Sequence, residues 1–333
     1  MKQNIGYIGS KFSLLDFLND NISNIGDISE KSFCDIFAGT NAVGMFFKNK
    51  VKTIISNDIE YYSYVLSRKY LNNTIIECDD LISELNSLEG VEGNIFNYFS
   101  ENGNSKRLYF SEENGKKIDA VRLKIEDWKI TGKVNETCYY YLLTSLLEAA
   151  DKVANTTSVY GAYLKKLKRT AQKPILLKNS EVDIVENQTN ISYNEDSSEL
   201  IKRIEGDILY IDPPYNHRQY GSNYHILNWI SEYNFSMEPK GVVGLMDYHK
   251  SKFSSKVQVK NAFAELIDNS NFEHIFMSYS SEGILQSDDI INILSQHGEV
   301  IRYDKVYKTY KSDSNRENKS STLLEYLFYL RKF

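Results

Sequence analysis

Residues 209–228 read LYIDPPYNHRQYGSNYHILN. An ionised Asp212 is a pure hydrogen-bond acceptor. Pro213 and Pro214 fix φ and remove two backbone donors, so a strand ends here and the carbonyls of Asp212 and Pro213 can face outward as acceptors. Tyr215 then offers a flat ring for stacking. Two acceptors beside a stacking face suit a planar group with an exocyclic amine, such as adenine N6 or cytosine N4. A Pro-Pro turn with Asp212 as a structural cap is the competing reading of these four residues.

A second constellation lies upstream. In DIFAGTNAVG (35–44), Gly39 and Gly44 sit where a strand passes into a helix and backbone can approach a ligand closely. The pattern departs from a dinucleotide fingerprint, because Asn41 stands where glycine is usual, and no basic residue follows as in a P-loop. Asp58, about 20 residues on at the end of the next apolar run, is spaced to hydrogen-bond a ribose hydroxyl. Capping of the following helix is the rival role for Asp58, and Glu60 is a weaker substitute. Together these residues favour an adenosine-containing ligand without a triphosphate.

The elements that must hold these groups follow an α/β rhythm. KFSLLDFL (11–18) has helical spacing, SFCDIF (32–37) and KTIISND (52–58) read as strands, and MFFK and YYSYVLSRKYL open helices. Residues 79–133 are polar and carry only turn signals. NETCYYYLLTSLLEAADKVA (135–154) is a strongly apolar helix with Asn135 as its N-cap. From about 190 the rhythm resumes with DILYID, VKNAFAELIDN, HIFMSYS and DDIINILSQHG, and TLLEYLFYL reads as a closing strand. Residues 311–321, rich in lysine, asparagine and serine, read as a mobile hairpin loop. The expected organisation is a catalytic sheet from 1–78 plus 190–333, interrupted by a mostly helical segment, 79–189.

Composition narrows the class. The 333 residues are 41% hydrophobic and 25% charged, ordinary for a globular chain, with a net charge of −6. Basic residues are nonetheless clustered. YLKKLKRTAQKPILLK (163–178) holds six positive charges and HKSKFSSKVQVK (249–260) four lysines, neither with a carboxylate. Solvated helix faces explain either run alone; together they suggest a basic surface. No signal peptide and no membrane-length apolar run are evident, so a cytoplasmic location is expected. Cys34, Cys78 and Cys138 show neither metal-ligand nor disulfide spacing and read as buried thiols.

DPPY behind an apolar strand, DIFAGTNAVG upstream and GYIGSKFSLLDFL at the N-terminus resemble the alpha-type DNA adenine-N6 methyltransferases, often restriction–modification partners. NETCYYYLLTSLLEAADKVANTTSVYGAYLKKLK and SYSSEGIL resemble a subgroup of them, so the likeness spans nearly the whole chain. The resemblance implies a Rossmann-like sheet using S-adenosylmethionine, with the helical insert recognising DNA. It implies Tyr7, Ile8, Gly9 and Lys11 as N-terminal cofactor contacts, and Asp35, Phe37, Ala38 and Gly39 at the methionine end. Asp58 matches the ribose acid, and Asp196, equally a helix cap, the acid near the cofactor adenine. Asp212, Pro213, Pro214 and Tyr215 match the catalytic motif.

The implied mechanism flips the target base out of the duplex and needs neither metal nor covalent nucleophile. Candidate DNA contacts are Arg218, Gln219, Asn223 and Tyr224 after the motif, a basic helix around Lys165–Lys173 with Lys165, Lys166, Lys168 and Arg169, and a loop carrying Lys250 and Lys252. Double-stranded DNA is the implied partner, with a cognate restriction endonuclease in the same system, no stable complex with it, and a monomer or weak dimer in solution. Rivals are cytosine-N4 or RNA methylation on the same fold, a catalytically silent DNA-binding module, and a nucleotide-binding dehydrogenase. Asp212 argues against the first, because cytosine-N4 enzymes more often carry serine there. The intact Asp212 and Tyr215 argue against the second, and the lack of a hydride-transfer site against the third.

Overall fold

The computed structural model describes residues 5–6, 9–180, 182–217, 219–308 and 322–333. In chain order the elements are α1 (Leu15–Ile22), β1 (Ser32–Asp35), α2 (Ala42–Phe47), β2 (Thr53–Asn57) and α3 (Tyr61–Tyr70). Four helices follow: α4 (Asp79–Ser87), α5 (Asn94–Phe99), α6 (Glu112–Ile130) and α7 (Glu136–Val153). Then come β3 (Thr189–Tyr193), α8 (Ser197–Leu200), β4 (Glu205–Ile211), α9 (Tyr220–Asn223), α10 (His225–Glu232) and α11 (Val259–Asp268). The chain ends with β5 (Asn271–Ser280), α12 (Ser287–Leu294), β6 (Gly298–Lys308) and β7 (Thr322–Lys332).

The seven strands form one sheet in the order β3-β2-β1-β4-β5-β7-β6. Strands β1 to β5 run parallel, and β7 is antiparallel to both β5 and β6. A parallel interior needs apolar residues on both faces, and the strands supply them by alternation. Phe33, Ile208, Tyr210 and Phe276 point toward α1 and α2. Cys34, Leu209, Ile211 and Met277 point toward α11 and α12. This is the expected α/β, Rossmann-like sheet. The order reverses between β1 and β4, so the crevice at their carboxyl ends is the ligand position of such a sheet.

The helical segment does not enclose a core of its own. Its apolar residues, including Phe99, Ile118, Trp128, Leu143 and Leu147, join one cluster with Tyr62, Val65 and Leu66 of α3 and with Ile226, Trp229 and Ile230 of α10. A buried ion pair, Lys69 Nζ to Glu148 Oε2 at 3.6 Å, ties α3 to α7. The segment is therefore fastened to the helices that flank the two functional motifs. Asn135 caps α7 by accepting from the Cys138 amide at 2.9 Å. Cys78 and Cys138, unrelated by spacing, bring their Sγ atoms to 3.0 Å.

Three sequence expectations differ. The 79–133 stretch carries three helices. Residues 163–173 are irregular rather than helical: Asn155 accepts from Lys168 N at 2.9 Å through its side chain and from Leu164 N at 2.9 Å through its carbonyl, fixing a loop there. Strands β3 and β6 were not anticipated. The hairpin expectation for 311–321 lies outside the described residues. Among the described residues, no helix is long and apolar enough to cross a membrane.

Candidate active site

The site is built at the switch point. In register, Asp35 ends β1 opposite Tyr210 of β4, two residues before Asp212. Asn57 stitches the rim: its Nδ2 donates to the carbonyls of Ile36 and Glu195, both at 3.1 Å. The resulting cleft, open to solvent, is lined by Gly9, Lys11, Asp35, Gly39, Asp58 and Asp212, among others.

The glycine turn is held from behind. Gly39 has φ +51° and Asn41 φ +61°, both left-handed. Asparagine tolerates that region better than most residues, and here its side chain is also used. Buried Asn41 accepts from Ser56 Oγ at 2.7 Å and donates to the Ser63 carbonyl at 3.1 Å. The departure from glycine thus anchors the turn to β2 and α3. Asp58 reaches across to accept the Gly39 amide at 2.7 Å and the Glu60 amide at 2.9 Å. Burial raises its pKa, and these amides oppose the rise.

Asp35 is 1% exposed, and its Oδ1 has no hydrogen-bond partner among the described residues. Burial first, then the nearby Asp212 and Asp58, holds its carboxyl well above the usual range. An unsatisfied buried acid facing the cleft calls for a cationic or donor group on a ligand. The amino acid ammonium or sulfonium of S-adenosylmethionine fits that requirement.

Asp212 is pushed up to about 6 by burial, against the lowering effect of Lys11. Lys11 Nζ lies 2.9 Å from Asp212 Oδ1 and 3.0 Å from Glu325 Oε1. Burial pushes the ammonium pKa down, but Asp212 and Glu325 outweigh it and hold it above its ordinary value. Lys11 also sits 5.7 Å from the centre of the Tyr215 ring. The Tyr215 carbonyl accepts from Ile284 N at 2.9 Å, and its ring meets Tyr279 edge-on. The SYSSEGIL stretch thereby holds the tyrosine in place. Gly9, at φ +77°, passes so near that a Cβ would meet Tyr215 Oη at 3.3 Å and Tyr220 Oη at 3.1 Å.

The structure brings Gly9, Lys11, Asp35, Phe37, Ala38, Gly39, Asp58, Asp212 and Pro214 to the cleft wall. Pro213 is buried beside it. Asp196 borders a neighbouring depression that shares Phe37, Ile59, His249 and Ser251 with the cleft. It caps α8 through Ser198 N at 2.8 Å and meets His249 Nε2 at 3.1 Å. Tyr7, Ile8 and Arg218 lie outside the described residues.

The DNA candidates are corrected in part. Tyr224 is fully buried and packs against Tyr220, Tyr62 and Tyr160, so it cannot face a duplex. The Gln219 amide is engaged by Ser251: Ser251 N donates to Oε1 at 2.9 Å and Nε2 donates to the Ser251 carbonyl at 3.4 Å. It forms part of the cleft wall. Lys168 is half-buried and donates to the Thr156 carbonyl at 2.7 Å. Lys165, Lys166, Arg169, Lys250 and Lys252 are exposed, and Asn223 is half-buried. Residues bordering the cleft that sequence reasoning missed include Tyr220, His249 and Ser251. Tyr220 belongs to the polar-aromatic run after DPPY, whereas His249 and Ser251 had no local signal beyond their basic neighbours.

The family model described as D12 class N6 adenine-specific DNA methyltransferase matches residues 7–293. The chain is 46% identical over 334 residues to the type II methyltransferase M.NlaIII of Neisseria lactamica, covering 98% of this chain and 99% of that one. It is 37% identical to the type II methyltransferase M.CviAII of Paramecium bursaria Chlorella virus 1, covering 98% of each. It is 41% identical to the type II methyltransferase M.FokI of Planomicrobium okeanokoites, spanning 98% of this chain but 52% of that longer protein. A switch-point cleft flanked by Asp35 and DPPY, together with these matches, leads to one assignment: the chain belongs to the D12 class N6 adenine-specific DNA methyltransferases.

Proposed function

We propose that the chain methylates adenine N6 at one specific site in double-stranded DNA, with S-adenosylmethionine as donor and the base flipped out of the helix. What carries this reading is the pairing at one crevice of an unsatisfied buried acid, Asp35, with the acceptor Asp212, whose partner Lys11 lies 5.7 Å from the centre of the Tyr215 ring. When bound, the cofactor supplies an electrophilic methyl group on a sulfonium.

Everything else is done by the chain. Gly39 and Asp35 receive the amino acid end, Asp58 the ribose, and the Asp196 side the adenine. The carbonyl of Pro213 and the carboxylate of Asp212 accept the two N6 hydrogens of the target. This turns the nitrogen lone pair out toward the methyl group and away from the base ring. Tyr215 stacks on the flipped base, offsetting part of its unstacking cost of a few kcal/mol. As the N–C bond forms, the methyl–sulfur bond would break with its electron pair staying on sulfur as a neutral thioether, and N6 loses a proton. An Asp212 carboxylate that titrates at about 6 can take it and return it to water near neutral pH. Holding the two reactants in line is the main catalytic contribution.

The helical segment 79–189 and the exposed Lys165, Lys166 and Arg169 are assigned to DNA engagement, with Lys250 and Lys252 as a second contact. We further assign the chain to a cytoplasmic restriction–modification system, acting as a monomer or weak dimer beside a separate endonuclease. Expression in a host lacking adenine methylation, followed by methylation-sensitive sequencing, tests the site-specific reading. One short motif bearing N6-methyladenine is expected. Unmethylated DNA, or adenine methylation without sequence preference, contradicts it.

A further inference from the structure

Asp212 has a specific demand placed on it: one oxygen must stay open for the incoming amine while the carboxylate keeps its charge and orientation. Lys11 meets part of that demand. It reaches Asp212 Oδ1 at 2.9 Å from the segment that precedes α1. A lysine side chain has four rotatable carbons, so by itself it does not stay where its charge is needed. The second contact of this ammonium is with Glu325, which comes from the opposite end of the chain.

Glu325 stands on β7, paired with Ser280 of β5 and Lys305 of β6, so its backbone is fixed from both sides. Next to it, Leu324 N donates to Ser281 Oγ at 3.1 Å and Ser281 N donates to the Leu324 carbonyl at 2.9 Å. The Glu325 side chain is 12% exposed and that of Lys11 is 5% exposed. The two contacts of Lys11 differ in kind. Toward Asp212 it makes a hydrogen bond, whereas Glu325 Oε1 accepts no hydrogen bond of good geometry and acts through charge at 3.0 Å. A carboxylate on a strand paired on both sides is thus positioned to hold the lysine head while leaving its directed bond to the catalytic acid.

We infer that Glu325 is a positioning residue for methyl transfer: it anchors Lys11 so that Lys11, through Asp212 Oδ1, holds the carboxylate in the orientation that receives the target amine. This inference rests on the proposed role of Asp212 as acceptor of the N6 hydrogens. The charged and titratable groups around the trio are Tyr210 and Tyr215 beside Lys11, and Asp35, Tyr210 and Tyr220 beside Asp212. Glu325 raises the Asp212 pKa and Lys11 lowers it. Removing the Glu325 charge takes away one influence that raises the Asp212 pKa and, by loosening Lys11, weakens the larger one that lowers it, so Asp212 ionisation shifts.

The test compares wild type, Glu325→Gln and Glu325→Asp with labelled S-adenosylmethionine and unmethylated plasmid DNA across pH 5 to 9. Thermal unfolding of each variant corrects for folded fraction. For Glu325→Gln, kcat is expected to fall about 10- to 100-fold, the cost of losing sub-ångström positioning. KM for the cofactor stays within about twofold, since uniform binding is untouched. The acid limb of the kcat profile moves away from its wild-type position, and Glu325→Asp recovers part of the rate. An unchanged kcat overturns the inference, as does a loss matched by the unfolded fraction with the acid limb in place. If wild type yields no N6-methyladenine, the underlying reading fails instead, and the wild-type digest separates the two cases.

Discussion

Asp58 Oδ2 accepts the Gly39 amide at 2.7 Å across 19 residues of sequence. The acid that ends β2 and the glycine turn that follows β1 are therefore one unit, and the ribose and methionine ends of the proposed cofactor site cannot move independently. A hydrogen bond to a charged group contributes about 1.5–3 kcal/mol. Asp58→Ala should raise KM for S-adenosylmethionine by about 10- to 150-fold, the same interval expressed as a ratio. Steady-state kinetics at saturating DNA measures this, and an unchanged KM would contradict the coupling.

Tyr215 is expected to act through its ring. Aromatic stacking on a single base contributes about 1–3 kcal/mol, so Tyr215→Ala should lower kcat/KM for DNA by about 5- to 150-fold. Tyr215→Phe keeps the ring and should lose far less. Equal losses in both variants would point to the hydroxyl and away from stacking.

Charge at the exposed basic loop should behave differently. Lys165→Ala, Lys166→Ala and Arg169→Ala are each expected to weaken DNA binding alike for specific and unrelated sequences. Each should also reduce the slope of log K against log salt by about one. Binding titrations at several salt concentrations give the slope. Tyr224→Ala is the contrasting case. Removing a fully buried aromatic residue should lower stability by about 3–5 kcal/mol and leave that slope unaltered.

Glu60 gives a prediction for pH. Burial first, then the neighbouring Asp58, pushes its carboxyl up to about 8 from an ordinary 4.5, with Asn228 Nδ2 donating to it at 2.6 Å. Between those two values the folded chain holds a proton that the unfolded chain has released. Glu60 thus contributes stability that is present below 4.5 and is lost as pH rises toward 8. Glu60→Gln should flatten the fall in unfolding free energy over that window. Urea titrations at pH 5, 6.5 and 8 measure it, and an identical slope in the variant would refute the assignment.

What the sequence disclosed depended on whether a signal was local. Asp35, Gly39, Asp58 and Asp212 all end or follow apolar runs, and a strand end in a parallel sheet is already a ligand position. Their convergence on one cleft is therefore legible in the sequence. Helix α6 was not readable, because its buried side carries charges. Asp119 accepts the amides of Ile95 and Phe96 at 2.9 and 2.8 Å, and Arg122 donates to the carbonyls of Ile230 and Ser231 at 3.0 and 3.1 Å. Those charges interrupt the apolar period although each is satisfied. The contact of Glu325 with Lys11 had no sequence signal either, since only the pairing of β7 with β5 brings the chain ends together. Tyr224 shows the opposite error: a polar-aromatic run suggested a DNA surface, while tertiary packing took this ring into the core.

The central claim is that Asp212, at the end of β4, directs a methyl group to adenine N6. The most direct measurement incubates wild type and Asp212→Ala with labelled S-adenosylmethionine and mixed DNA, digests the DNA to nucleosides and identifies the labelled product. Wild type should label N6-methyladenine alone. Asp212→Ala should label nothing while still binding the cofactor in a calorimetric titration. Label in N4-methylcytosine, no label in DNA from wild type, or full transfer by Asp212→Ala would contradict the account.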